Sequence, residues 1–353
     1  MLTIREINVL PDHHDDPDWV TTCALSRQYD RELIGDTGWD TDPATDLAGA
    51  KADEDSFRRR WFAEIDGEAV AYAHLRVNRR DDPDMAFVLI YVRPEHRRRG
   101  IGQRLVATLE DAVRELAPAR LTSWVTTPVP EGATISPAHG VGAVRADHDG
   151  VKMALREGFT LAQVERVSRY DFDRPLVDPH EALAAARAAA GESYELIVWA
   201  GAAPSDMCDD LARLTERMSR DVPSGGLTVV EESWDAQRIQ KRDRDILIGN
   251  RLYRAVARHV GSGAIVALNE LVRNRSNEQA YVDQWDTVVL PEHRGHRLGM
   301  LVKAANLIQV REAEPSATAV LTWNAEENRY MLSVNESLGF REILREAAFE
   351  KLL

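Results

Sequence analysis

One pattern of eleven residues occurs twice in this sequence, and it limits the possible folds more than any other feature. The pattern V-x-P-E-H-R-x-x-x-x-G fills residues 92–102 and returns at residues 289–299. Further along, Glu157-Gly158-Phe159 is matched by Leu338-Gly339-Phe340. Internal similarity of this kind indicates a duplicated structural unit, so we expect two copies of one fold.

The boundary between the copies is predicted in an alanine-rich segment that opens with Asp178-Pro179 and closes with Gly191. Asp-Pro favours the start of a helix and glycine favours its end, so this segment is predicted to be a linking helix. We therefore expect an N-terminal domain at residues 1–173, the linker at 174–192 and a C-terminal domain at 193–353. A chain of 353 residues has the length for two such domains.

Both halves show the same order of predicted strands and helices. In each, a hairpin and a further strand precede the repeated pattern, and a helix and another strand follow it. The predicted strands lie at residues 61–64, 70–77, 85–92 and 121–126 in the first half, and at 252–259, 264–272, 280–290 and 318–323 in the second. The predicted fold class is α+β, with two tandem domains, each a mixed, mostly antiparallel sheet flanked by helices.

Charge and composition exclude several classes of function. The net charge of -14 argues against a nucleic-acid partner, which would require a basic surface. No apolar run is long enough to cross a membrane, and the first residues lack the features of a secretion signal. The two cysteines, Cys23 and Cys208, are far apart and fit a reducing compartment. We expect a cytoplasmic protein, monomer or homodimer, that acts on a small molecule and binds no metal.

The repeated pattern lies between a predicted strand and a predicted helix, and this position suits a phosphate. Backbone N–H groups at a helix N-terminus are unpaired, and the helix dipole adds positive charge there. Gly100 and Gly102 allow close approach of an anion, and the arginines at 97–99 add charged donors. Neither a Walker loop nor a dinucleotide fingerprint is present.

At this loop the sequence resembles the GNAT N-acetyltransferases. Arg97-x-x-Gly100-x-Gly102 matches their R/Q-x-x-G-x-G/A acyl-CoA loop, whereas Arg294-x-x-Arg297-x-Gly299 has arginine at the first glycine position. The segment from Asn328 to Phe340 looks like the family's N-x-x-A-x-x-x-Y-x-x-x-G-F. The tandem arrangement is similar to the two-domain type that includes mycothiol synthase.

The resemblance implies an acyltransferase that moves an acetyl group from acetyl-CoA, its co-substrate, directly to a primary amine of a small molecule. The implied acetyl-CoA contacts are Val92, Arg97, Arg98, Arg99, Gly100, Ile101 and Gly102 in the first copy, and Val289, Arg294, Gly295, His296, Arg297, Leu298, Gly299 and Asn328 in the second. The first copy keeps both glycines, so we expect it to bind CoA more tightly. The alternative function is a non-catalytic acyl-CoA-binding sensor or scaffold.

An amine with a pKa of about 10.4 must lose a proton before it can attack, so the site needs a base. The tyrosine that donates a proton in the family is replaced by Ala154 in the first copy and Asn335 in the second. We therefore expect the second copy to be catalytic and the first to be degenerate, binding CoA or serving only a structural role. The expected base is Asp286, with Glu270 second. Asn335 and Tyr330 are candidates for interactions with the leaving group.

Overall fold

The computed structural model describes all 353 residues, and they form two compact units that are not contiguous halves. The first unit contains Met1–Val164, Gly225–Thr228 and Arg345–Leu353, and the second contains Glu165–Ser224 and Val229–Leu344. This division differs from the linear boundaries expected from the sequence, because residues 345–353 belong to the first unit.

The first unit contains a mostly antiparallel sheet whose strands follow the order β1-β2-β3-β4-β5-β14-β8. Strands β8 and β14 each contribute residues to both units. Its elements are β1 (Leu2–Ile7), α1 (Pro17–Ile34), α2 (Pro43–Ala52), β2 (Ser56–Ile65), β3 (Glu68–Asn78), β4 (Asp82–Val92), α3 (Ile101–Leu116), β5 (Arg120–Pro128), β6 (Thr134–Ile135), β7 (Val144–Arg145), α4 (Asp149–Arg156), the first part of β8 (Thr160–Asp171) and the last part of β14 (Arg341–Leu352).

The second unit repeats this plan with the strand order β14-β8-β13-β12-β11-β10-β9. The predicted α+β class and the mostly antiparallel sheets are confirmed in both units. Besides its parts of β8 and β14, the second unit contains α5 (Pro179–Ala190), β9 (Tyr194–Ala200), α6 (Cys208–Asp221), α7 (Ala236–Gly249), β10 (Asn250–His259), β11 (Ile265–Asn274), β12 (Val282–Val289), α8 (Leu298–Ala313), β13 (Ala319–Ala325) and α9 (Arg329–Leu338).

Local sequence explains where several elements begin. Helices α1, α2 and α5 each start with Asp-Pro, and the aspartate side chains of Asp16, Asp42 and Asp178 accept hydrogen bonds from the free N–H groups of the first turn. Between β2 and β3, Asp66 and Gly67 both have positive φ, as a tight hairpin turn requires. The predicted linking helix is α5.

Each face of the first sheet is covered by helices. Helix α3 buries Leu105, Leu109 and Val113 against one face, as the helical spacing predicts. Helix α1 packs Leu25 against Phe62 and Tyr72 on the other face. None of the helices combines the length and the apolar character that crossing a membrane would need.

The two parallel strands at the centre of each unit pair over a short distance only. Strand β4 pairs with β5 from Met85 to Phe87, although β4 continues to Val92. Likewise, β12 pairs with β13 only from Val282 to Gln284. Beyond these pairs the strands separate, which leaves a gap in each sheet next to the repeated loop.

Candidate active site

A large cavity opens in the first unit where β4 and β5 separate. Its volume is about 820 Å³, within the usual range for ligand sites. Strand β5, helix α4 and the loop between β4 and α3 form much of its wall. Six of the seven residues expected to bind the donor in the first copy line it: Val92, Arg97, Arg98, Gly100, Ile101 and Gly102. Arg99 is exposed and is not part of the lining.

The backbone of the first loop leaves the start of α3 free to bind an anion. Arg98 and Gly100 have left-handed φ angles of 61° and 79°. Helix α3 then begins without any side-chain cap, unlike α1 and α2. Because Ile101, Gly102 and Gln103 line the cavity, the unpaired N–H groups of this first turn lie at its wall.

Arg97 holds the loop in place. Its Nε donates to the carbonyl oxygen of Val92 at 2.9 Å, and its Nη2 donates to Glu32 of α1 at 2.7 Å. Arg97 therefore fixes the loop against the end of β4, and Glu32 balances its charge. Arg98 is the more available donor, since its side chain is 77% exposed. Its Nη1 atom lies 3.2 Å from Oδ1 of Asp149.

The cavity is more basic than the protein as a whole. Its lining contains more cationic than anionic side chains, in a chain with a net charge of -14. Such a surface favours a ligand with phosphate groups. The charged lining residues are Arg97, Arg98, Arg114, Lys152, Arg156 and Lys351 against Glu32, Glu110, Asp149 and Glu157.

The loop of the second unit has the same backbone shape. Gly295 and Arg297 have φ angles of 87° and 56°, at the positions of Arg98 and Gly100, so glycine and arginine are exchanged between two left-handed positions. Arg294 donates to the carbonyl oxygen of Val289 at 3.3 Å and to Asp221 at 2.9 Å, as Arg97 does with its own partners. Of the other expected donor contacts, Leu298 and Gly299 are buried, His296 packs against a tyrosine ring, and Asn328 caps α9 through the Met331 N–H.

In the second unit, a buried polar pair occupies positions that line the cavity in the first. Val106 and Ala154 line that cavity, and their counterparts by sequence position are Lys303 and Asn335. Lys303 Nζ donates to Asn335 Oδ1 at 2.7 Å, and Asn335 Nδ2 donates to Asn324 Oδ1 at 2.6 Å. Burial lowers the pKa of Lys303 to about 7. The side chain of Asn335 is thus engaged within the core.

The two carboxylates expected as bases lie together in the second unit. A bulge in β12 places Trp285 and Asp286 opposite Glu270, since Asn269 pairs with Thr287 and Leu271 with Gln284. Both terminal nitrogens of Arg242 donate hydrogen bonds to the Glu270 carboxylate, at 3.0 and 2.6 Å. The same guanidinium is 3.7 Å from Asp286.

Their pKa values diverge. Burial would raise the pKa of Glu270, but the charges of Arg242 and Arg254 outweigh it and lower the pKa to about 2. Burial, and then the negative charge of Glu270, raises the pKa of Asp286 to about 6. Glu270 stays ionised, whereas Asp286 can exchange a proton near neutral pH.

Tyr330, the other residue expected near the leaving group, is 54% exposed on α9.

Sequence reasoning missed a carboxyl group next to the first cavity. Thr126 lines the cavity, and its hydroxyl donates to Glu346 at 3.1 Å. Burial raises the pKa of Glu346. Glu346 lies in the part of β14 that belongs to the first unit, although linear sequence places it in the second copy. No sequence signal identifies this crossing of the chain.

Comparisons with known proteins agree with the two-unit architecture. Residues 22–133 match the family described as Acetyltransferase (GNAT) family. No curated protein matches the chain. A solved tandem GNAT protein from the clavulanic acid biosynthesis pathway is similar over 100% of this chain and 98% of its own, at 25% identity and a TM-score of 0.75.

Two more distant structures support the fold alone. A GCN5-related N-acetyltransferase from Sphaerobacter thermophilus is similar over 99% of this chain and 95% of its own, at 17% identity and a TM-score of 0.61. A putative acetyltransferase from Pyrococcus horikoshii is similar over 100% of this chain and 89% of its own, at 11% identity and a TM-score of 0.54.

Proposed function

We propose that the chain is a tandem GNAT acetyltransferase that transfers an acetyl group from acetyl-CoA to a primary amine of a small molecule, because residues 22–133 match the family and a solved tandem GNAT protein is similar over the whole chain. The observation that carries this proposal is the cavity of the first unit. It lies at the uncapped start of α3, where unpaired N–H groups suit a pyrophosphate.

The donor is proposed to bind in the first unit. Gly102 lies in the first turn of α3 at the cavity wall, and a Cβ atom added to it would come within 3.3 Å of the Met153 side chain. Glycine there keeps the approach to the helix open. In the second unit, the hydrogen-bonded pair Lys303 and Asn335 occupies the positions that Val106 and Ala154 have at the first cavity. The donor is therefore expected to bind the first unit more tightly.

Proton removal in the first unit is assigned to Glu346, acting through Thr126. The thioester end of the donor would lie where β4 and β5 separate, and Thr126 lines this space. A proton lost by the attacking amine can pass to the Thr126 hydroxyl as that hydroxyl gives its own proton to Glu346. The raised pKa of this carboxyl brings it closer to what a base at neutral pH requires.

Asp286 supports a second acyl-transfer site in the second unit. Its raised pKa, near 6, and its place beside Arg242 favour it over Glu270 as a base there. In that site Asn335 and Tyr330 would have to interact with the leaving thiolate. The side chain of Asn335 already bonds Lys303 and Asn324.

The test is release of free CoA thiol from acetyl-CoA by the full-length protein with a broad panel of amines, alongside calorimetry of acetyl-CoA binding. We expect amine-dependent release. Binding without release to any amine would instead support an acyl-CoA-binding sensor or scaffold.

A further inference from the structure

The face of the first sheet that packs against helix α1 has an equivalent face in the second unit. Matching positions on these two faces carry different side chains. In the first unit Arg60 on β2 pairs with His74 on β3, and in the second Arg254 on β10 pairs with Glu270 on β11. Each pair lies three residues from an Ala–Ala pair, so the positions correspond. The arginine is kept, but its carboxylate partner is replaced by histidine.

The second unit satisfies its buried arginine completely. Arg254 donates to Glu270 at 2.6 Å and to Asp243 at 2.5 and 2.7 Å. All three side chains are 1% exposed. A buried guanidinium needs such carboxylates, because an unpaired buried charge is strongly unfavourable.

In the first unit, several buried polar atoms at and near the corresponding place have no hydrogen-bond partner. Nε and Nη1 of Arg60, Nε2 of His74 and Oγ1 of Thr22 are buried and form no hydrogen bond. Thr22 lies on α1 one turn from Trp19, whose ring is 5.8 Å from the Arg60 guanidinium. Buried polar groups in native proteins are almost always paired, so an orphaned set requires an explanation.

The surroundings of this set are positive. Burial, followed by the charges of Arg60, Arg76 and Arg58, lowers the pKa of His74 to about 3, so His74 is neutral. The nearby carboxyl of Asp46 accepts from Thr41 at 2.6 Å, and burial raises its pKa. Nε and Nη1 of Arg60 therefore donate to no carboxylate, whereas Arg254 donates to both Glu270 and Asp243 in the second unit.

The orphaned set borders the donor cavity. His74 pairs with Leu89 on β4, and Leu89 lines the cavity. Residues directly opposite on neighbouring strands are about 5 Å apart, which places Arg60 about 10 Å from Leu89 along one row. A small molecule can span this distance with an amine at the cavity and an anion at Arg60.

We propose that Arg60, His74 and Thr22 bind the carboxylate of the acceptor, which is therefore an amino acid or a similar amine that also carries a carboxylate. This proposal rests on the proposed function, since it names the acceptor class of that site. The ligand carboxylate takes the place that Glu270 has beside Arg254.

The decisive variant is His74→Glu in the full-length protein, because it gives Arg60 an internal carboxylate. His74→Gln introduces a side chain of the same shape as the glutamate in His74→Glu, but without its charge. Arg60→Gln removes the cation, and Arg80→Gln removes an exposed arginine outside the site. The probes are N-acetylated amino acids, each beside its amide, measured by thermal shift. Turnover is compared for amino acids and their amides.

We expect the wild type and Arg80→Gln to be stabilised by the carboxylates and to prefer them over the amides about tenfold or more. His74→Glu and Arg60→Gln lose this preference, and His74→Gln weakens it less. Equal responses to carboxylates and amides, no response to either, or a preference that survives His74→Glu would overturn the proposal. If carboxylate-specific stabilisation occurs without acetyl transfer to any amine, the anion site stands and the proposed function fails.

Discussion

At the residue scale, Lys303 makes the stability of the second unit depend on pH. Its pKa falls from 10.5 to about 7 in the folded protein because the side chain is buried. Between these values the unfolded chain binds more protons, so stability rises as pH increases from about 7 to 10.5 and is lower in acid. We expect Lys303→Met to be most stabilising at or below pH 7, by about 1.4 kcal/mol for each pH unit that separates the folded and unfolded pKa values.

Chemical denaturation of both proteins across this pH range measures the effect. The advantage of Lys303→Met should shrink as pH rises towards and beyond 10.5, where the wild-type lysine becomes neutral in both states. A difference that is independent of pH would mean that loss of the Asn335 hydrogen bond, and not protonation, determines the outcome.

Two of the carboxyls with raised pKa values, Glu346 and Asp286, separate the possible sites of chemistry. Because the donor cavity and Glu346 share a unit, we expect Glu346→Gln to lower turnover about a hundredfold with little change in acetyl-CoA affinity. Asp286→Asn is the matched substitution in the second unit. A loss of that size in Asp286→Asn, with Glu346→Gln near wild type, would assign catalysis to the second unit, as the sequence suggested.

Sequence spacing located the repeated loops and the helices that follow them, because those depend on local patterns. It ranked Asp286 above Glu270 but could not predict that their pKa values diverge, since these depend on Arg242 and Arg254, which approach from other elements. Lys303 escaped notice because a lysine in a helix is normally exposed. These properties arise from tertiary contacts that no local pattern encodes.

At the scale of elements, helix α3 should control donor binding through one face. Val106 lines the cavity, while its neighbour Ala107 is exposed. We expect Val106→Phe to fill the cavity and weaken acetyl-CoA binding about tenfold or more, whereas Ala107→Phe leaves it unchanged. Calorimetry on the two variants tests this, with unfolding curves to confirm that both remain folded. Equal affinities would place the donor elsewhere.

The two repeated loops have the same backbone shape, although the second lacks the first glycine of the motif. Arg297 adopts the left-handed conformation that Gly100 adopts in the first loop, at a cost of about 1 kcal/mol for a non-glycine residue. The family pattern specifies glycine at the position of Gly100, where the first loop is left-handed. It could not predict that Gly295 takes the other left-handed position, because the pattern leaves that position unspecified.

At the scale of the whole molecule, the last residues of β14 stabilise the first unit. Phe349 is fully buried in a cluster with Val144, Val151 and Val164. We expect Phe349→Ala to destabilise this unit by about 3–5 kcal/mol, while Leu352→Ala, at a 73% exposed position, has little effect. Hydrogen exchange should show faster exchange in residues 144–164 of Phe349→Ala. Protection unchanged there would contradict the assignment of residues 345–353 to the first unit.

The division of β14 between the units has a consequence for biosynthesis. The first unit cannot be completed when residues 1–164 leave the ribosome, because it still lacks Gly225–Thr228 and the segment that begins at Arg345. At ordinary rates of translation this segment follows on the order of ten to forty seconds later. A message cut short before that point would yield a chain without Glu346 and Phe349. Donor binding would then be restricted to fully translated molecules, so that incomplete products could not sequester the cell's acyl carrier.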